Sequence, residues 1–286
     1  MRIPTRSPPQ LREPDAMIVR APATSANIGA GFDTAAVALD LWNELEVTDG
    51  SGVFVAGEGA AELSLDADNL AIRAYALLAD PAGKQFRFRN AIPLERGLGS
   101  SAAAIALGLV AAAPAASPED LLAAGLTLEP HADNLGAALL GGLTLVWDGK
   151  IARIAESLPL EPIAIIPSTR TSTKASRGTL PATVPHAEAA ASAGRAALLG
   201  AGAASGDATL FAAALDDWLH EPYRPSEVLD IVRTNPPIGC AGATLSGSGP
   251  TVIAWTSDRR TCLTAFRLLF PDHRVLELDV APRGAL

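Results

Sequence analysis

The chain has 286 residues, of which 49% are apolar and 19% charged, with a formal net charge of −9. That length buries a full hydrophobic core as one large domain or two modest ones, and the balance is globular rather than disordered. The negative sign excludes a generic nucleic-acid surface, which needs a basic stripe, but not a local phosphate pocket of backbone N–H groups and a few Arg.

Residues 1–16 hold Pro4, Pro8, Pro9 and Pro14 among several Arg, with no apolar stretch of a secretory signal behind them. They read as a disordered extension, and the chain as cytoplasmic. Short strands are predicted at 18–20 and 53–55, and a half-buried strand at 39–47, where apolar and polar residues alternate. Asp68 and Asn69 precede a predicted helix at 70–78. A strand at 86–92 runs into a Gly-rich turn, followed by a helix at 102–113 that is apolar on almost every side and hence buried.

Ser117 and Pro118 open another helix. A short helix at 135–140 and strands at 143–147 and 163–166 come next. Ala-rich helices are predicted at 186–199 and 209–219. Two strands flank a second Gly turn near 246–250, and a helix at 261–269 and a strand at 274–280 close the chain. Strands and helices mix without a regular βαβ rhythm, which predicts α+β. Pro159 and Pro162 mark a boundary, giving regions 17–158 and 159–286. Cys240 and Cys262 stand far apart, so they read as reduced thiols rather than a disulfide or zinc framework.

The strongest chemical signal is Arg96-Gly97-Leu98-Gly99-Ser100-Ser101-Ala102. Two Gly allow a sharp turn and close backbone approach, and the start of a buried helix follows. Free N–H groups and the positive helix end converge there, which makes an anion site. Neither a Walker A loop nor a dinucleotide fingerprint is present. A plain strand-to-helix turn with a Ser cap is the other reading. Ser246-Gly247-Ser248-Gly249 is either a simple hairpin turn or the opposite wall of the same site.

Pro22-Ala-Thr-Ser-Ala-Asn-Ile-Gly-Ala-Gly-Phe-Asp33, the Gly-Leu-Gly-Ser-Ser-Ala loop and Leu245-Ser-Gly-Ser-Gly-Pro-Thr251 resemble, in order, the three motifs of the GHMP small-molecule kinases. Within that superfamily the chain is most similar to the homoserine kinases. His131-Ala-Asp-Asn134, the stretch 173–181 around Arg177, and His220-Glu-Pro-Tyr-Arg224 extend the likeness from about Val19 to the C-terminus. The resemblance implies a two-domain GHMP kinase fold, with an N-terminal domain like part of a ribosomal protein and a ferredoxin-like C-terminal domain. ATP and substrate would sit between them. It implies ATP-dependent phosphorylation of the L-homoserine hydroxyl in threonine biosynthesis, with Mg²⁺, and is compatible with a homodimer.

By the same resemblance, Asn27 and Asp33 meet the amino-acid substrate, Asp33 opposite its ammonium group. Their Gly-flanked segment reads as loop, where short polar residues also make Asx turns. Asp133 and Asn134 face the substrate hydroxyl and amine, with His131 beside them. Asp133 is either a general base or a substrate orienter, because positioning and electrostatics can carry phosphoryl transfer. Arg177 and Arg224 suit the substrate carboxylate, since a guanidinium fork matches it. Asn69 is an adenine-pocket residue or simply a helix cap.

Ser101 and Glu129 would hold Mg²⁺. Here the sequence departs from the family: Thr127-Leu-Glu129-Pro-His131 replaces Glu-x-Glu-Gly-His. Ala30 also replaces a usual Pro, and Ala35-Ala36 a common Leu-Gly. Another GHMP kinase, or a non-catalytic ligand sensor on the same fold, are the alternatives.

Overall fold

The structure is a computed structural model that describes residues 16–171 and 176–286. The extension expected over 1–16, Ala16 apart, and residues 173–175 of the 173–181 stretch lie outside the described residues.

The first sheet is built from β1 (Met17–Asn27), β2 (Gly31–Asp49), β3 (Val53–Gly57), β4 (Lys84–Asn90), β5 (Leu143–Trp147) and β6 (Lys150–Ala155). Its order is β3-β4-β2-β5-β6, with β1 paired to β2 off that path. Only the β3–β4 pair is parallel. A parallel pair needs a crossover, and the segment carrying α1 (Leu70–Ala76) supplies it. β2 spans 19 residues and anchors the sheet. Its end at 44–49 pairs with β4 and its start at 35–37 with β5.

Small side chains line that start. Ala23, Ala26, Ala35, Ala36 and Ala38 are all buried, so α2 (Ser100–Ala112) and α4 (Ala132–Leu140) lie close against the strands. α2 has no polar face, because it is sandwiched between the sheet and α1, α3 (Pro118–Gly125) and α4. At Gly108 the contact with α1 is tightest: a Cβ there would lie 2.0 Å from the Ala71 carbonyl oxygen.

The second sheet is antiparallel, in the order β10-β7-β9-β8, from β7 (Glu161–Ile166), β8 (Cys240–Leu245), β9 (Val252–Thr256) and β10 (Arg274–Glu277). Both faces are covered, and strand alternation sorts the side chains between two cores. Ile163, Ile165, Val252 and Ala254 face a core formed with α7 (Glu227–Thr234) and α8 (Arg259–Leu269). Ala164, Ile166, Ile253 and Trp255 join the core of the first sheet, together with residues of α5 (His186–Ser205) and α6 (Ala208–Ala213). The chain end returns to the first sheet, where Ala281 N–H donates to Ala38 O at 2.9 Å and Ala285 N–H to Ala138 O at 2.8 Å. The mixed element order thus gives the α+β architecture that the sequence predicts.

Two expectations need correction, and two elements were not foreseen. The stretch 22–33 is not loop: β1 runs to Asn27, β2 resumes at Gly31, and Asn27 pairs with Gly31. Positive φ at Asn27, Ile28 and Gly29 confines the reversal to a tight turn. The helix expected at 209–219 ends at Ala213. Beyond it, Ala214 O accepts from Ala30 N–H at 3.1 Å and Leu215 O from Arg233 Nη2 at 3.2 Å, partners that a continuing helix would deny them. Finally, β6 and α7 are elements the pattern of residues did not announce.

Gly108→Val should drive α1 and α2 apart. A loss of about 3 kcal/mol in unfolding free energy, read by urea titration, is expected for such overpacking. An unchanged midpoint would mean that the helices are not in contact there.

Candidate active site

Backbone contacts bring the three Gly-rich segments together. Gly97 and Gly99 both have positive φ, and Gly99 is the N-cap of α2. A Cβ on Gly99 would lie 1.8 Å from Thr24 Oγ1, so β1 runs directly beneath the loop. Thr24 N–H donates to Leu98 O at 3.1 Å, and its hydroxyl donates to Asn134 Oδ1 at 2.7 Å. The second turn closes from the other side. Ser246 Oγ donates to Gly97 O at 2.6 Å, Thr251 N–H to Arg96 O at 3.2 Å, and Gly247 N–H to Ala26 O at 3.1 Å. Asn27 ties that second turn to the start of β2 through its amide: Nδ2 donates to Gly247 O at 2.9 Å, and Oδ1 accepts from Asp33 N–H at 3.1 Å.

These segments enclose a cavity of about 640 Å³, a size that suits a nucleotide with a small co-substrate. Of the residues predicted from sequence, Asn27, Asp33, Asn69, Arg96, Gly97, Gly99, Ser100, Ser101, Glu129, His131, Asp133, Asn134, Arg177, Arg224, Gly247, Ser248 and Gly249 line it. Leu98, Ala102 and Ser246 do not; they are buried behind the wall, and Ser246 acts as the tie between the turns. Asn69 both caps α1, accepting from Ala71 N–H at 3.1 Å, and lines the cavity. Arg96 donates to the carbonyls of Leu94, Pro167 and Ser168, so its guanidinium clasps one loop to another.

The charged groups form a connected row. Arg177 forks onto Asp33, with Nη1 to Oδ2 at 3.1 Å and Nη2 to Oδ1 at 2.5 Å. Arg177 Nε donates to His131 Nε2 at 3.2 Å. Nε2 is therefore the acceptor, and Nδ1–H donates to Glu129 Oε1 at 2.9 Å. Burial raises the Glu129 carboxyl, but hydrogen bonds from His131 and Ser101 outweigh it and hold the group below its ordinary value. An ionised carboxylate thus adjoins a hydroxyl at a helix start. Both are hard oxygen donors of the kind Mg²⁺ takes.

Asp133 sits buried in the first turn of α4. Burial pushes its carboxyl up to about 6; the Asn134 backbone N–H opposes the rise and the charge of Asp33 adds to it. Such a group is ionised at neutral pH yet basic enough to take a proton. Arg224 is 6% exposed, donates through Nη1 to Gly247 O at 3.2 Å, and has no partner at Nε among the described residues.

Sequence reasoning missed the apolar end of the cavity, lined by Leu63, Leu70, Phe88, Leu94 and Leu107 with Asn43 and Asn90. These come from six separate elements and loops of the chain, and each reads locally as an ordinary core, strand or turn residue. It also missed Arg170, which forks onto Glu62 at 2.7 Å for both bonds at the rim. No helix among the described residues is long and apolar enough to cross a membrane.

Residues 69–142 match the GHMP kinases N terminal domain family. The chain is 38% identical over 265 residues to the homoserine kinase of Moorella thermoacetica, covering 85% of this chain and 88% of that relative. It is 39% identical over 291 residues to the homoserine kinase of Streptomyces coelicolor, covering 94% of each. The crystal structure of homoserine kinase from Cytophaga hutchinsonii superposes with a TM-score of 0.83 at 26% identity, over 98% of this chain and 99% of that one.

The raised Asp133 has a measurable cost. Unfolded, the carboxyl titrates near 3.8; folded, near 6. The folded chain holds the proton more tightly, so stability falls as pH rises between those values and the full penalty applies above them. It is on the order of 3 kcal/mol at pH 8. Asp133→Asn should therefore melt higher than the parent at pH 8, by a margin that shrinks as pH is lowered toward 5. Equal melting temperatures at both pH values would show that burial does not strain this group.

Proposed function

The chain belongs to the homoserine kinases of the GHMP kinase superfamily, and from that membership we propose that its cavity transfers the γ-phosphoryl group of ATP to the side-chain hydroxyl of L-homoserine. The products are ADP and O-phospho-L-homoserine. The observation that carries the reading is one cavity holding an anion-type helix start, a buried near-neutral carboxyl and, beside them, opposed Asp and Arg side chains.

ATP enters with adenine toward the apolar end, where Leu63, Leu70, Phe88, Leu94 and Leu107 line the wall together with the Asn69 and Asn90 amides. Its phosphates meet the 97–101 loop, because the first N–H groups of α2 have no intrahelical partner. The turn at 247–249 closes the opposite side. Mg²⁺ would be held by Ser101 and Glu129; bound there, it would neutralise charge on the phosphate oxygens.

Homoserine carries an ammonium and a carboxylate, and the Asp33–Arg177 pair is their complement. The zwitterion splits that pair: its ammonium replaces Arg177 at Asp33, and its carboxylate draws Arg177 and the unpartnered edge of Arg224. A mevalonate-type alcohol has no ammonium for Asp33, and a sugar has no carboxylate for the two Arg. Asp133 keeps Oδ1 on Asn134 N–H at 2.7 Å and offers the other oxygen to the substrate hydroxyl. As the hydroxyl oxygen attacks the γ-phosphorus, its proton passes to Asp133. The bond from γ-phosphorus to the bridging oxygen breaks, and that electron pair leaves with ADP. The result is a step of amino-acid biosynthesis.

ADP release should depend on L-homoserine and not appear with mevalonate or galactose. Release with another alcohol alone, or homoserine binding without turnover, would overturn the reading. Arg224→Ala should raise the homoserine KM by about 100-fold, the scale of a lost charge-assisted fork, with little change in the ATP KM.

The carboxyl at about 6 sets the acid limb of the rate. Because only the ionised form accepts a proton, kcat/KM for homoserine should fall below that pH and level off above it. Asp133→Asn should lose about 10²- to 10⁴-fold in kcat and abolish that limb. A variant that keeps the limb would place the titrating group elsewhere.

A further inference from the structure

Arg224 is a long, flexible cation, yet its working edge has to face the substrate carboxylate in one orientation. What sets that orientation is the chain just before it. Asp217 Oδ2 accepts backbone N–H groups from Leu219 at 3.1 Å, His220 at 2.7 Å and Glu221 at 2.8 Å, which pins the segment as it enters the short 3₁₀ turn Glu221–Tyr223. Glu221 fixes it from the far side by accepting Leu245 N–H at 2.7 Å. The His220 ring is 0% exposed and stacks on Phe32, with centroids 5.0 Å apart and planes at 22°. Its Nδ1 lies 3.0 Å from Arg224 Nη1.

That contact has only one chemical form. A guanidinium in a protein is always a donor, so His220 Nδ1 accepts and the ring proton sits on Nε2. Nε2 faces Asp217 Oδ2 at 3.7 Å. Burial drives the imidazole down to about 4, with the carboxylate of Asp217 pulling the other way and the charge of Arg224 adding to the drop. The ring is therefore neutral through the working range, and it keeps a lone pair for Arg224. With Nη1 held by His220 and Gly247 O, and the guanidinium 5.7 Å over the Phe32 ring centroid, Arg224 is fixed in roll. Its buried Nε is left without a partner.

We infer that His220 is a positioning residue for substrate recognition: its neutral Nδ1 locks the Arg224 guanidinium so that the unpartnered Nε edge is presented to the carboxylate of the acceptor. Phe32 is the shared floor under both side chains. The inference rests on Arg224 binding that carboxylate, and it adds a specificity element that touches no substrate itself.

The test uses the full chain and steady-state kinetics. His220→Leu removes the lone pair. His220→Asn returns an acceptor near the place of Nδ1, and His220→Gln places one near Nε2 instead. His220→Leu and His220→Gln should each raise the homoserine KM about tenfold, the scale of one hydrogen bond to a charged group. The kcat and the ATP KM should stay within about twofold. His220→Asn should restore the homoserine KM to within about threefold. In an Arg224→Ala background, His220→Leu should cost nothing further.

If His220→Leu melts below the assay temperature, the Asn and Gln pair alone decides, since both are polar and differ in where the acceptor sits. Equal KM values for that pair, a loss confined to kcat, or a full additional loss in the Arg224→Ala background would each overturn the inference. If Arg224→Ala leaves the homoserine KM unchanged, the carboxylate assignment itself falls, and this inference with it. If Arg224→Ala raises KM and the His220 variants do not, only the role of His220 falls.

Discussion

No side chain can stand at Gly97. A Cβ there would lie 2.4 Å from Ser246 O and 2.8 Å from Gly249 O, so the two Gly-rich turns touch through their backbones. Main chain against main chain is a stiffer gauge than any rotamer, and it aims the α2 start and the 247–249 turn at one space. The rest hangs from that seam. Asn27 and Arg224 both bond to Gly247 O, and Thr24 links the underside of the loop to Asn134 on α4. A shift of either turn would move the α2 start and the side chains bonded to Gly247 together.

Charge inside the cavity is the second constraint. An acidic chain gathers several Arg here, and each is held by its surroundings: Arg96 on carbonyls, Arg177 on Asp33, Arg224 on His220. Buried ions without partners are costly, and partial pairing limits that cost while leaving edges for a ligand. Asp133 has weaker help, from one strong backbone N–H, so burial lifts it toward neutrality. The same displacement that leaves it basic enough to accept a proton lowers the stability of the fold, a trade common at sites with shifted carboxyls.

Local pattern made much of the fold legible. Strand β5 matches its predicted span of 143–147, and the buried helix after the Gly-rich loop was readable from its lack of a polar face. Alanine misled at 209–219. High helix propensity suggested a helix there, but the carbonyls of Ala214 and Leu215 are claimed by Ala30 and Arg233, from distant parts of the chain. The first motif looked like loop because Gly29 and Gly31 flank its short polar residues. Pairing of Ala23 to Ala26 with β2 overrides that preference, and only three residues are left for the turn.

What the sequence determined by itself is the local machinery. Gly at positions of positive φ, a helix that starts on Ser, and Arg and Asp in ordered motifs are properties of short segments, and short-range sterics and dipoles explain them. Tertiary structure alone decided which charges meet. Asp33 and Arg177 are partners across 144 positions of chain. Glu129 joins Ser101 and His131 in one row, although Thr127 and Pro130 break the usual pattern around it. Asp133 titrates high and His220 low because both are buried, and burial is a property of the whole fold rather than of any neighbouring residue.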